Sequence, residues 1–334
     1  MRDPASDRLD EPPQSSGYLD SSPVLSESEE LRNRLALFGY LYFRRFLPPE
    51  PILELRRRFL AILEEQGWLS PGTDPADAVA NPLVACGDPD PDYLRVHALL
   101  FKVEEFHALP HHPLLMDLFE RLFQDTVLLH PRGVARIFFP TADRFTTRPH
   151  QDHLAVRGTE ETYTAWIPLG DCPQTLGSLQ LAPATHLGGL RPTQPTPDNR
   201  GTEVRESHPT GSWVSGDFEV GDILVFHSLL VHRALPNSSD RLRLSVDYRY
   251  QPLSLPVHPA RFALNDGFRS WASTYAGWNS SRFQYYWQTL RLNLMPSLNL
   301  LEESLEHTDD PREAATLKLL LDALSLARLS EASR

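Results

Sequence analysis

Cysteine is almost missing from this chain. The two in its 334 residues, Cys86 and Cys172, form no Cys-x-x-Cys pair, which excludes a disulfide-dense secreted scaffold and fits a reduced compartment. One disulfide between them stays open at this level. A signal peptide is also lacking, so a cytoplasmic protein is expected. No apolar run approaches the roughly twenty residues that cross a bilayer, and no basic amphipathic stretch marks a membrane surface. Positive charge is scarce as well. The net charge of −12 has the wrong sign for sequence-independent nucleic-acid binding, in which Lys and Arg replace counterions along the phosphates. Half of it sits at the start, where residues 1–30 hold eight acids against two arginines, a net −6.

What is present is a globular composition, 41% hydrophobic, with length for one large domain or two ordinary ones. Residues 1–28 are rich in Ser, Pro, Asp and Glu and carry too few large apolar side chains to repay ordering, so they read as a disordered acidic tail. A domain over 29–252 follows, largely helical across 29–125. "SEELRNRLALF" puts Leu31, Leu35 and Phe38 on one helical face and stops at Gly39. "YLYFRRF" reads as a strand. "PEPILELRRRFLAILEEQ" starts with prolines in its first turn and spaces Ile52, Leu55, Phe59 and Ile62 as an amphipathic helix. "HPLLMDLFERLFQD" reads as another helix.

Across 126–252 the period shortens. "VLLH", "VARIFF", "TYTAWIPL", "SLQLAP", "DILVFHSLLVH" and "RLRLSVDYRY" are β-rich runs between Gly, Pro, Asn and Asp clusters. Such strands without intervening helices predict a mainly β core with flanking helices, a barrel or double-stranded jelly roll. In 253–334, Trp271, Tyr275, Trp278, Tyr285, Tyr286 and Trp287 either line a pocket or fill a core. Two helices follow, and the last puts Leu317, Leu320, Leu321 and Leu324 on one face, to pack on the body of the domain or to make a homodimer. No internal repeat is visible.

The chemistry is expected in the β block, at "RPHQDHLAVRG". His150 and Asp152 have the His-x-Asp spacing that, on a strand, presents an imidazole and a carboxylate to one ion. Spacing alone decides nothing: thirteen His and twenty-three Asp make about one such pair by chance, and His307-Thr308-Asp309 is a second. The second pair sits between helical patterns beside Pro311, with no histidine after it, and reads as a solvated helix end. A two-His-one-carboxylate iron site needs a third ligand and leaves the ion's remaining positions open. His153, His186, His208, His227, His232, His258 and His307 all lie downstream. In "LLVHRALPNSSDRLRLSV", a hairpin turning between Asn237 and Ser238 would set His232 opposite Arg243, roughly 5 Å apart at Cβ. A histidine ligand and a guanidinium would then share one pocket, suited to a dicarboxylate such as 2-oxoglutarate that chelates iron at one end and meets arginine at the other. Alone, Arg243 reads as an ordinary strand arginine.

Taken together, "HQD" at 150–152, "TAWIPLGD" around Trp166, "GSLQLAPATH" ending at His186, and "VGDILVFHSLLVHRALPNSSDRLR" with Arg243 eleven residues after His232 resemble the phytanoyl-CoA dioxygenase family of Fe(II)/2-oxoglutarate oxygenases. The likeness runs from about Leu35 to Tyr250 and leaves out the first 28 residues and roughly the last 80. It implies that His150, Asp152 and His232 are the catalytic iron ligands. Arg243 would hold the far carboxylate of 2-oxoglutarate, with Gln151 and Trp166 beside it. Lys102, in "FKVEEF", would also reach the co-substrate, against the plainer reading of an exposed lysine.

The resemblance further implies hydroxylation of a small-molecule C–H bond with O2, releasing succinate and CO2; a carboxylate at Asp152 sets the chain apart from related halogenases, which have Gly or Ala there. His227, five residues before His232, is the rival third ligand but has Ser238 rather than arginine eleven residues on. His153 reads as a neighbour of the site or a surface residue, His186 as a loop cap, and Arg157 as an anion contact or a solvated loop residue. Two other classes stay open. A non-catalytic jelly-roll module would hold a structural metal in a closed shell with a fourth ligand such as His153 or His227. An interaction protein would instead use its C-terminal helix.

Overall fold

A computed structural model describes residues 17–140, 146–196, 201–205, 213–264 and 269–295, with isolated positions between 305 and 321. The helical third begins with α1 (Ser28–Phe38), which buries Leu31 and Leu35. Gly39 ends it with φ 78, its N–H donating to Leu35 O. A Cβ there would lie 2.5 Å from His186 Nδ1, so both the turn and the packing demand glycine. Strand β1 (Tyr40–Phe43) follows, then α2 (Pro49–Glu65), whose buried face is Ile52, Leu55, Phe59, Leu60 and Leu63. The predicted Ile62 is only partly buried and Leu63 takes the inner position. Helices α3 (Pro91–Leu100) and α4 (Glu104–Ala108) were not legible in the sequence. Helix α5 (Pro113–Phe123) turns Leu115, Leu118, Phe119 and Leu122 inward, as its spacing requires.

The β block opens with β2 (Val127–Leu129) and β3 (Val134–Phe138), and a short helix α6 (His153–Val156) precedes β4 (Tyr163–Pro168) and β5 (Leu179–Leu181). A two-stranded ribbon, β6 (Thr193–Pro195) with β7 (Thr202–Val204), and the short β8 (Val214–Ser215) come before β9 (Ile223–His227), β10 (His232–Ala234) and the long β11 (Arg243–Pro252). One antiparallel sheet runs β1-β9-β4-β11-β2, with β3 also on β11; a second runs β10-β5-β8. Alternation along each strand explains the layering. Leu41, Phe43, Ala165, Ile167, Ile223, Val225, Val246 and Tyr248 face the helices. Tyr40, Tyr42, Trp166, Leu224 and Phe226 face the small sheet, where Leu179, Leu181, Val214 and Ala234 meet them. At about 1.5–3 kcal/mol for each large apolar side chain fully buried, these two layers hold the sheets together. The architecture is the expected jelly roll with flanking helices.

Several expectations need correction. The tail drawn to residue 28 is too long. From Gly17 onward the chain is described, and Tyr18, whose ring lies 5.2 Å from Tyr42 and 5.4 Å from Phe218, donates its hydroxyl to Leu179 O. One aromatic side chain with a long-range bond outweighs the polar residues around it. Residues 1–16 lie outside the described residues. "DILVFHSLLVH" is not one strand: it breaks after His227, where Leu229 N donates to His227 Nδ1, and β9 and β10 belong to different sheets. His232 and Arg243 are therefore not hairpin partners. His232 pairs with Leu181, and Arg243 with Phe138 on the opposite sheet. The chain crosses between layers here, so the short loop does not fix a hairpin register. The aromatic block 271–287 is core, with Trp271 and Trp287 buried against each other at 4.7 Å, and α7 (Trp271–Tyr275) carries its start. Leu317 and Leu320 join the same core, while Leu324 and the pair His307/Asp309 lie outside the described residues.

Candidate metal centre and active-site cavity

His150 and His232 are set side by side by backbone: each donates its N–H to the other's carbonyl, at 3.0 and 3.1 Å, and the rings lie 4.2 Å apart. Asp152 does not continue a strand. It caps α6 with φ −61 and ψ −28, and this turn, rather than strand alternation, brings its carboxylate back to the imidazoles. Asp152 Oδ1 lies 3.6 Å from His150 Nε2 and 3.8 Å from His232 Nε2. The donor atoms of all three fall within 4.8 Å of one another, and no other such cluster occurs among the described residues.

Their surroundings fix the ligand forms. His150 Nδ1–H donates to Arg148 O at 2.8 Å and His232 Nδ1–H to Leu230 O at 2.9 Å, which leaves both Nε2 lone pairs directed at the cluster. Burial, then the neighbouring His150, pushes His232 down to about 3, so it stays neutral. On Asp152, Oδ2 accepts from Thr164 Oγ at 2.6 Å and from Arg249 Nη2 at 3.1 Å, leaving Oδ1 for the ion. Burial would raise this carboxyl, but Arg249 and the two imidazoles override it and hold it well below the usual carboxylate range. Thr164 and Arg249 stand directly opposite each other on β4 and β11.

Deeper between the sheets, Arg243 is 1% exposed. Its Nη1 donates to Gly177 O at 2.6 Å and its guanidinium lies 3.7 Å over the Phe138 ring and 5.8 Å from that of Trp166. Nε has no partner and, among the described residues, no carboxylate pairs with the group, while burial lowers it to about 10. A buried cation without an anion is costly unless a ligand supplies one. Here the same narrow pocket, about 20 Å³, is lined by Arg243, Trp166, His150 and His232. It shares Arg136, Thr147 and His150 with a larger cavity of about 650 Å³ that reaches Asp152 and Arg249. The chain thus has the parts for a metal-bound dicarboxylate: three open-faced ligands and an unpaired guanidinium beyond them.

The remaining expected residues fall to either side. Trp166 stands beside Arg243, with its Nε1 unpartnered. Gln151 lines the large cavity, but its amide is engaged, donating to Leu229 O at 2.6 Å and Gly189 O at 3.0 Å and accepting from Arg191 N at 2.8 Å. It clasps loops around the site. Lys102 is exposed and lines neither cavity; its carbonyl accepts from Trp278 Nε1 at 2.8 Å. His227 faces Glu161 at 3.8 Å, His186 donates to Ala36 O, and neither they nor His153 join the ligand cluster. His258 caps a turn by accepting from Ala260 N, and His208 lies outside the described residues. Thr164, Arg136, Asp247 and Arg249 escaped the sequence reading. A signal existed: Arg243, Ser245, Asp247, Arg249 and Gln251 form an alternating polar face on a strand whose other face is apolar.

Two imidazoles and one carboxylate with an open side, inside a jelly roll and backed by a buried arginine, define a non-haem iron oxygenase. Residues 36–245, which include all four of these residues, match the family described as phytanoyl-CoA dioxygenase. The chain belongs to that family, and it is an iron- and 2-oxoglutarate-dependent dioxygenase. It is 28% identical over 254 residues to the 1-deoxypentalenic acid 11-beta-hydroxylase of Streptomyces arenae, covering 72% of this chain and 86% of the relative. The enzyme of the same description from Streptomyces exfoliatus is 26% identical over the same shares. Among solved structures, the epimerase SnoN in complex with Fe3+, alpha-ketoglutarate and nogalamycin RO superposes with a TM-score of 0.52 at 20% identity, covering 70% of this chain and 87% of that one. The non-heme monooxygenase ThoJ in its apo form gives 0.50 at 18% identity, over 67% and 78%. These likenesses bear on the fold. No helix among the described residues is long and apolar enough to cross a membrane.

Proposed function

We propose that His150, Asp152 and His232 hold Fe(II), that Arg243 anchors the far carboxylate of 2-oxoglutarate, and that the protein hydroxylates a small-molecule C–H bond. The observation that carries this reading is the convergence of two Nε2 atoms and one carboxylate oxygen, each with its other polar atom already satisfied. Bound together, Fe(II), 2-oxoglutarate and O2 supply the oxidation, in which R–H, O2 and 2-oxoglutarate become R–OH, succinate and CO2. The chain's own part is positional. Thr164 and Arg249 hold Asp152 with Oδ1 outward, the Arg148 and Leu230 carbonyls hold the imidazole tautomers, and Arg243 offers Nε and its remaining donors to a carboxylate. Phe138 and Trp166 keep that arginine out of water.

A closed structural-metal shell would need a fourth protein ligand, and neither His153 nor His227 reaches the cluster. The buried, free Cys86 and Cys172 support a reduced, cytoplasmic setting. Burial of Leu317 and Leu320 within one chain requires no second copy. The test is succinate release from 2-oxoglutarate by the Fe(II)-loaded protein. Asp152→Ala is expected to abolish it and Arg243→Gln to raise the 2-oxoglutarate KM at least tenfold. Turnover untouched by the first substitution would overturn the assignment.

A further inference from the structure

The chain carries a net charge of −12, yet among the described residues the large cavity is lined by six arginines, Arg132, Arg136, Arg148, Arg249, Arg261 and Arg269, and two acids, Asp88 and Asp152. Asp152 belongs to the metal ligands, and Arg136 Nε donates to Asp247 Oδ2 at 2.8 Å. Three of these guanidinium groups lie close together in the cavity lining. Arg249 comes from β11, Arg132 from the loop between β2 and β3, and Arg261 from the turn at Pro259–Arg261. Backbone locks two of them together, because Arg132 Nη1 donates to Ala260 O at 3.0 Å while Arg261 Nη2 donates to Arg132 O at 3.2 Å.

Arg261 makes no ion pair with a carboxylate among the described residues, and its Nε has no partner. Arg249, 4% exposed, spends one nitrogen on Asp152 and Asp247 and leaves Nε and Nη1 unpartnered. Burial, and then the nearness of Arg132 and Arg249, lower Arg261 well below an ordinary arginine. Buried guanidinium N–H groups that meet no acceptor, as on Arg249 and Arg261, are costly unless a ligand supplies one, and an anion does so best. The lining also includes the apolar Leu94, Ile137, Leu154 and Val156, and the volume of about 650 Å³ suits a compact organic molecule.

We infer that Arg132, Arg249 and Arg261 form a subsite for the carboxylate of the substrate, which is a compact, mainly apolar molecule carrying one anionic group. The inference rests on the oxygenase reading and adds the substrate class to it. The anion enters at the arginine end, its apolar body lies along Leu154 and Val156, and the distance from anion to metal centre then selects the carbon presented to His150, Asp152 and His232. Arg243, on the far side of the ligands, takes no part in this recognition. The two carboxylates, of co-substrate and substrate, therefore have separate cations.

The experiment is equilibrium binding to anaerobic protein loaded with Fe(II) and saturated with 2-oxoglutarate, so that Arg243 is already occupied. The probes are 1-adamantanecarboxylate, its methyl ester, 1-adamantanemethylammonium and 1-adamantanemethyl phosphate. The carboxylate is expected to bind at least about tenfold more tightly than the ester, as charged hydrogen bonds of this strength require, and the ammonium not at all. Arg261→Gln should remove the carboxylate's advantage and leave the ester unchanged; Arg132→Gln is the second variant if the first folds poorly. Equal affinity for carboxylate and ester, or binding of the ammonium, overturns the inference, and so does a carboxylate advantage that survives both variants. A preference for the phosphate over the carboxylate overturns the carboxylate assignment. Failure of the oxygenase reading shows separately, as absence of 2-oxoglutarate binding and succinate release in the wild-type protein.

Discussion

Replacing Thr164 by valine keeps the β-branched shape on β4 and removes one hydroxyl. That hydroxyl donates to Asp152 Oδ2 at 2.6 Å, from a residue 1% exposed, to a carboxylate held ionised by Arg249. Asp152 then keeps a single fixed donor on Oδ2, Arg249 at 3.1 Å, and can rotate about its bond to that one group. A partner that orients a metal ligand from outside the coordination sphere is worth about 10- to 100-fold in metal affinity, or about 1.4–2.8 kcal/mol at about 1.4 kcal/mol per decade. The metal-free protein should lose only about 1 kcal/mol, because Arg249 still neutralises the carboxylate. Competitive titration of Fe(II) under anaerobic conditions reads the first quantity and urea unfolding of the metal-free protein the second. An iron affinity within twofold of wild type would refute the argument that Thr164 fixes the ligand, and a stability loss much beyond 1 kcal/mol would make its role one of packing.

Two further expectations concern the scaffold. Burial pushes His107 down to about 4, with its Nε2–H donating to Phe101 O at 2.7 Å, so the folded chain excludes a proton that the unfolded chain binds below about 6.5. Stability is therefore full above pH 6.5 and falls as the pH drops toward 4, by at most about 1.4 kcal/mol per pH unit from this group; His107→Gln should flatten the limb in urea titrations at pH 6.5, 5.5 and 4.5. His111 and His130 contribute in the same direction, so part of the slope remains. At Gly133 an added Cβ would lie 2.9 Å from Phe106 Cζ and from two ring carbons of Tyr248, whose hydroxyl is tied to Phe106 O at 2.7 Å. Gly133→Ala is expected to cost about 1–3 kcal/mol; a thermal midpoint equal to wild type would show that these rings can move.

The sequence carried the helices α1, α2 and α5 because each has a long period-3.6 face, and it carried most strands because apolar alternation marks them. It missed α3 and α4, which lie in short, proline-bounded stretches, and the ribbon β6–β7, which has little apolar pattern. It gave all three members of the ligand cluster, and Arg243, by motif and resemblance. His232 and Arg243 do share a pocket, but they reach it from different sheets and not across a hairpin.

What the sequence determined by itself is therefore the inventory of the site: which residues could ligate and which chain segments are strands, because these follow from side-chain chemistry and local periodicity. Tertiary structure alone decided how His232 comes to stand beside His150 and Asp152, through the backbone bridge between His150 and His232 and the break after His227. It also decided that Thr164 and Arg249 hold Asp152, and that arginines far apart in sequence, Arg132, Arg249 and Arg261, gather in one cavity. Those are long-range encounters, set by how two sheets stack and where the chain crosses between them, and no local pattern encodes that crossing.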